Sequence, residues 1–370
     1  MLLCLPMKIR EIISCLEKFA PVSFQESYDN SGLITGDPTW EIKSALLSID
    51  VTEEVIDEAV KLGSGMIISH HPILFRPIKR LSGDNYVERC LIKAIRNNIA
   101  LYAAHTNIDA VRKGVNKKIS DKLGLINTRI LIPRKEELRK LVFFVPSAHA
   151  DKVREKVFEA GAGHIGNYDQ CSFNTSGDGT FRGSDETSPF VGEKGRLHIE
   201  KEIRVETIFP VYMQAAVIKA LLDAHPYEEV AYDIYPLTNQ YDQAGSGMVG
   251  ELSEPVSETI FLKNLKKIFN AGVIRHSGLL KKKIRKVAVC GGSGSQFLEQ
   301  AVNSGADIYI TADIRYHQFF DADRKIIIAD IGHYESEQFT TELFHEIILK
   351  NFPKFAVHFS GVYTNPVNYF

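Results

Sequence analysis

Cysteine is scarce and scattered in this chain of 370 residues. The five cysteines, Cys4, Cys15, Cys90, Cys171 and Cys290, are odd in number and contain no C-x-x-C pair, which argues against both a disulfide framework and a zinc ribbon. Net charge is also small, at −2, so no excess of basic residues draws the chain to nucleic acid or to an anionic membrane. No stretch approaches the roughly 20 apolar residues of a membrane span. The apolar N-terminus is cut short by Pro6 and followed by Lys8, Arg10 and Glu11, which argues against a signal peptide. A reducing cytoplasm is the expected compartment. What is present, 44% hydrophobic and 24% charged residues, is a globular composition, and the length predicts two or three domains.

The informative stretch is Ile67-Ile68-Ser69-His70-His71-Pro72. Residues 66–68 read as a buried strand after a Gly-Ser-Gly break, and Pro72 cannot donate to a ladder, so the strand stops near His70. Two imidazoles therefore sit at a strand exit, where open α/β sheets collect ligands and metals. Taken alone, such a pair is also an ordinary polar turn.

Around it the chain alternates strand and helix. Residues 9–19 carry Ile9, Ile12, Ile13, Leu16 and Phe19 at helical spacing. Residues 44–49 predict a first buried strand, with Asp50 capping a helix that Gly63 closes. A helix over 85–97 leads to a strand at 99–104, which exits into His105-Thr106-Asn107-Ile108-Asp109. Right-handed crossovers put these exits on one sheet edge. From about residue 127 the pattern changes to strand 140–146, helix 150–160, a long glycine-rich polar excursion, strand 203–209, helix 211–223 and strand 230–236. That order predicts a ferredoxin-like insertion. The α/β pattern then resumes with strands at 286–290, 307–311 and 325–329, a helix over 314–322, a long helix running from about 333 to 350, and a strand at 356–359 that finishes the sheet. The expected domains are residues 1–127 and 243–370, two βα-repeat halves of one domain, interrupted by an α+β insertion at 138–238.

His333 and Glu337 stand four apart at a helix start and share one face, a spacing that suits an ion and equally a solvated helix face. Joined with His70, His71 and Asp109 they make three imidazoles and two carboxylates, too many for one tetrahedral ion but suited to two ions bridged by a carboxylate and a water. Such donors admit zinc, iron, manganese, cobalt or nickel. Gly291-Gly292-Ser293-Gly294-Ser295 lacks both G-x-G-x-x-G and G-K-[ST] and reads as a tight structural turn. His225-Pro226-Tyr227-Glu228-Glu229 reads as a polar loop, and His317 as a residue of core, surface or the outer rim of a site.

Four motifs, S-H-H-P-I-L-F-R-P (69–77), Y-A-A-H-T-N-I-D (102–109), V-A-V-C-G-G-S-G-S (287–295) and G-H-Y-E-S-E (332–337), make the chain resemble the NIF-three-like proteins, or GTP cyclohydrolase I type 2 homologues, over nearly its whole length. The insertion is similar to the PII and CutA-like fold. The resemblance implies two divalent ions, zinc first, on His70, His71, Asp109, His333 and Glu337, with Glu337 as the bridge and His105 close by. It also implies a small-molecule substrate, a nucleotide such as GTP, opened at guanine C8 with release of formate, and a ring-shaped homohexamer. His105 and Glu335 are the residues expected to move protons in such a hydrolase. A non-catalytic metal carrier, or a scaffold whose insertion senses a small molecule, is the competing class. The chain departs from the family pattern at Ala312-Asp313, at Met248 and in the leader before Met7, which leaves Met1 and Met7 as alternative starts. Neither of the first two is expected to touch a ligand.

Overall fold

The computed structural model describes residues 5–370, so the first four residues of the leader, including Cys4, lie outside the described residues. The chain forms two compact units, one from the residues up to Pro133 together with Asp242–Phe370, the other from Arg134–Tyr241.

The larger unit is built on two sheets. In the first, short apolar strands run in the order Ala356–Phe359, Ser44–Ser48, Met66–Ser69, Ala100–Ala103 and Gly32–Thr35. The first four are parallel to one another and the last is antiparallel. Ser44–Ser48, Met66–Ser69 and Ala100–Ala103 are buried along their whole lengths, as expected of parallel strands covered on both faces. Leu46, Ile67 and Leu101 pack with Val55 and Ile56 of helix Glu53–Leu62 and Leu91 of helix Tyr86–Arg96. The strand at 356–359 extends this sheet, alongside residues 44–47, and so ties the chain's last strand to its first half.

The second sheet runs Arg275–His276, Ile327–Asp330, Ile308–Ala312, Lys283–Ser293, Gln240–Ser257, Ile126–Lys135. Its three central strands, from Ile327–Asp330 to Lys283–Ser293, are parallel. Helix Val115–Lys122 and the short helix His333–Glu337 both pack on strand Lys283–Ser293, which brings the second sheet's polar exits toward the first's. The long helix expected from 333 to 350 is two helices, His333–Glu337 and Thr340–Asn351. Phe339, with ψ −2, is the N-cap of the second helix, and its carbonyl accepts the Leu343 N–H at 3.2 Å. The second helix packs on Ile9–Phe19, whose Ile9, Ile12 and Leu16 are buried.

The smaller unit has one antiparallel sheet in the order Tyr232–Leu237, Leu138–Pro146, His198–Pro210, Phe173–Phe181. Helices Ala150–Glu159 and Gln214–Ala224 cover it with Val153, Val157, Val217 and Leu221 against Leu141, Phe143, Val205 and Phe209. The glycine-rich excursion therefore carries a strand of its own.

Candidate metal centre

His70 and His71 follow the end of strand Met66–Ser69, but their backbone N–H groups still bond to the carbonyls of Ser48 and Ile49, at 3.2 and 2.9 Å. Both side chains are thus held at the exit by sheet hydrogen bonds. The His70 ring is fully buried, and its Nδ1–H donates to the Ala104 carbonyl at 3.0 Å. The His71 Nδ1–H donates to Asp50 at 2.7 Å. His333 makes the same bond to Asp313 at 2.7 Å, and His105 to Asp29 at 2.8 Å. An imidazole that gives Nδ1–H outward keeps a lone pair on Nε2, so all four rings present a donor atom inward.

Three of them, those of His70, His71 and His333, meet at Glu337, a carboxylate with 2% exposure. Oε2 lies 2.9 Å from His71 Nε2 and 3.0 Å from His333 Nε2, and the two Nε2 atoms are 3.3 Å apart. Oε1 lies 3.5 Å from His70 Nε2, which is 3.8 Å from Asp109 Oδ1. Three overlapping groups have ligand atoms within 4.8 Å of one another: His70, His71 and His105; His71, His333 and Glu337; His70, Asp109 and Glu337. Among the described residues, His70 Nε2 and Asp109 Oδ1 are buried and have no hydrogen-bond partner. Lone pairs converging on carboxylate oxygens need positive charge between them, as protons or as a cation. In the metal-free protein that demand falls on protons. Burial disfavours a charged His71, yet Asp50 and Glu337 outweigh it and raise its pKa to about 9. Burial likewise opposes the charge on His333, but Asp313 and Glu337 raise it to about 11. Burial and then the Glu337 charge push Asp109 up, while Glu337 itself, despite its burial, is held well below the usual carboxylate range by His70, His333 and His71. An imidazole and carboxylate donor set with two orphaned buried atoms fits divalent metal ions.

The neighbouring segments are shaped around this cluster. Gly292 has φ +61, and a Cβ there would sit 2.2 Å from Glu337 Oε1, so the glycine-rich turn is what lets the carboxylate approach. Its N–H donates to Ser336 Oγ at 2.9 Å. Asp313, at φ +58, directly touches His333, so the 312–313 step is in contact with a candidate ligand, contrary to expectation. Asp50 is not the helix cap expected of it. Thr52 caps helix Glu53–Leu62 through the Val55 N–H, and Asp50 is drawn instead to His71 and to the Thr364 hydroxyl at 2.6 Å. His105 lies with its ring centroid 5.3 Å from those of both His70 and His71. Glu335 is buried but outside the three groups, and accepts a hydrogen bond from Asn365 Nδ2 at 3.2 Å. It lines a cavity of about 350 Å³ that His71 and His333 also reach. A second cavity of about 320 Å³ reaches Asp109, bounded by Tyr28, Cys290 and the glycine segments at 245–247 and 291. His317 is exposed beside Tyr316, with ring centroids 5.1 Å apart. His225 belongs to the smaller unit.

Two α/β sheets whose polar exits meet in a buried imidazole and carboxylate cluster define an α/β protein with a candidate metal site. The chain belongs to the Duf34/NIF3 (NGG1p interacting factor 3) family, which matches residues 7–366. It is 43% identical over 324 residues to a GTP cyclohydrolase 1 type 2 homolog of Halalkalibacterium halodurans, covering 87% of each chain. It is 39% identical over 327 residues to the Bacillus subtilis protein of the same name, covering 88% of each. Among solved structures, a Bacillus cereus protein related to NIF3 shares 40% identity at a TM-score of 0.86, over 98% of this chain and 99% of that one.

Proposed function

We propose that the cluster holds two divalent metal ions and that the protein is a metal-dependent hydrolase acting on a nucleotide. The observation that carries this reading is the split of Glu337. One oxygen faces His71 and His333, the other faces His70 and Asp109, as a bridging carboxylate would. His71 and His333 would hold one ion and His70 and Asp109 the other. When bound, such a pair lowers the pKa of a water and polarises a substrate oxygen, and zinc is the first candidate among the metals these donors accept. His105, aligned by Asp29, would carry a proton between water and leaving group. Glu335 borders the cavity shared with His71 and His333 and is the second candidate for proton transfer. GTP is the first substrate to test, because the curated relatives bear the name GTP cyclohydrolase 1 type 2 homolog.

The 134–241 unit, with its β-α-β-β-α-β order and its edge-to-edge strand order, supports reading residues 138–238 as a ferredoxin-like, PII/CutA-like insertion between family halves 1–127 and 243–370. A cytoplasmic homohexamer is the assembly and compartment we propose; light scattering on purified protein tests the first. A cavity of about 600 Å³ in the smaller unit favours a second reading, a regulatory scaffold that senses a small molecule.

Metal-loaded protein is offered GTP, other nucleotides and phosphodiesters, beside His71→Ala. The enzyme reading expects turnover of at least one class that falls by about 100-fold or more in the variant. Equal, slow turnover of everything by both proteins leaves the scaffold reading standing.

A further inference from the structure

Two stretches play no part in the imidazole cluster: the glycine-rich excursion and His225-Pro226-Tyr227-Glu228-Glu229. Within the 134–241 unit they close around one cavity of about 600 Å³, inside the range of small-molecule sites. Phe144, Phe181, Phe190 and Tyr227 stand among the glycine and polar residues that line it. The rings of Phe181 and Phe190 lie 5.9 and 6.4 Å from Tyr227, centroid to centroid. His225 fixes that wall: its Nε2–H donates to the Phe144 carbonyl at 2.9 Å, and its Nδ1 accepts the Tyr227 N–H at 3.1 Å. Burial pulls the His225 pKa down, which keeps the ring in the neutral form this arrangement needs.

The charges around the cavity are not equivalent. Asp178, Arg182, Arg204, Glu228 and Glu229 are exposed; Asp178 pairs with Lys201 and Arg204 with Glu206. Glu202 alone among the charged lining residues is partly buried, and it forms no ion pair among the described residues. Its Oε1 accepts the Tyr227 hydroxyl at 2.9 Å. The carboxylate lies over Gly179, where a Cβ would come within 2.2 Å of Oε2, so the site is cleared for it by a residue without a side chain. A carboxylate held in place, without an ion-pair partner among the described residues and with aromatic rings in the same lining, has the features of a site for positive charge.

We infer that this cavity binds a small organic cation, an amine or amidine on a flat apolar body, with Glu202 against the charge and Tyr227, Phe181 and Phe190 around the body. The inference uses no residue of the metal centre and stands whether or not the protein is a hydrolase. Benzamidine, benzamide and benzoate share one shape and differ in charge, so titrating each into the full-length protein by calorimetry isolates the charge. Benzamidine is expected to saturate one site per chain, benzamide to bind at least about tenfold more weakly, and benzoate not to bind. Glu202→Gln is expected to abolish the preference for benzamidine over benzamide, and Phe190→Ala, at an exposed position, to weaken benzamidine several-fold. The proposal is overturned if benzamide or benzoate binds as tightly as benzamidine, if benzamidine shows no saturable binding, or if it binds either folded variant as it binds the wild type.

Discussion

Each imidazole of the cluster is aimed by an oxygen behind it: Ala104 for His70, Asp50 for His71, Asp29 for His105 and Asp313 for His333. Such partners fix the tautomer and raise ligand basicity, and their loss typically weakens metal binding 10- to 100-fold. Asp50→Asn keeps the shape but offers an amide where the ring donates to a carboxylate. It is expected to lower metal affinity by about 10- to 100-fold in competition with a chelator, with little change in fold by circular dichroism. An affinity equal to wild type would show that the Asp50 to His71 bond does not support the site. The five candidate ligands were legible from the sequence because they stand at strand exits or at i, i+4 spacing. The three orienting carboxylates were not, although Asp50 and Asp313 are themselves at parallel strand exits, after Ser44–Ser48 and Ile308–Ala312. The strand-exit position that marks His70, His71 and Asp109 marks these two carboxylates as well. Asp29 precedes the antiparallel edge strand Gly32–Thr35, and nothing in its local sequence marks it.

Elements were legible where burial left an unbroken apolar run. Ser44–Ser48, Met66–Ser69, Ala100–Ala103 and Ile308–Ala312 are buried throughout and read directly as strands. Phe173–Phe181 escaped because seven of its nine residues are exposed and two are glycine, so no alternation of apolar and polar survives. The loop ahead of helix Tyr86–Arg96 shows a different local control. Asn85 caps the helix, and Glu88 turns back to accept the N–H groups of Ser82, Gly83 and Asp84 at 3.0, 2.8 and 3.1 Å. Hydrogen bonds from the Asp84 and Ser82 backbones, above all, hold the Glu88 carboxyl down at about 2. A carboxyl depressed by folding adds stability that is full above its ordinary value and is lost as pH falls through the folded one. Relative to Glu88→Gln, the wild type should therefore have its largest advantage in thermal midpoint near about pH 6 and lose it toward about pH 2. A difference that does not change with pH would contradict this.

At the scale of the molecule, the unit that holds the cluster is assembled from both ends of the chain. Ala356–Phe359 pairs with residues 44–47, and the candidate ligands come from residues 70–109 and 333–337. Strands Ile126–Lys135 and Gln240–Ser257 are neighbours in one sheet, so the chain leaves the larger unit and re-enters it through adjacent strands. Replacing residues 134–241 by a short Gly/Ser linker should leave the metal content per chain unchanged by elemental analysis. Loss of the metal in a folded product would show that the smaller unit is needed to hold it.

Everything proposed for the centre turns on Glu337 serving two ions at once, and native mass spectrometry of metal-loaded protein measures that most directly. Wild type should carry two divalent ions per chain, and Glu337→Ala, with the same fold by circular dichroism, should lose both together. One ion in the wild type, or two retained in the variant, would contradict it.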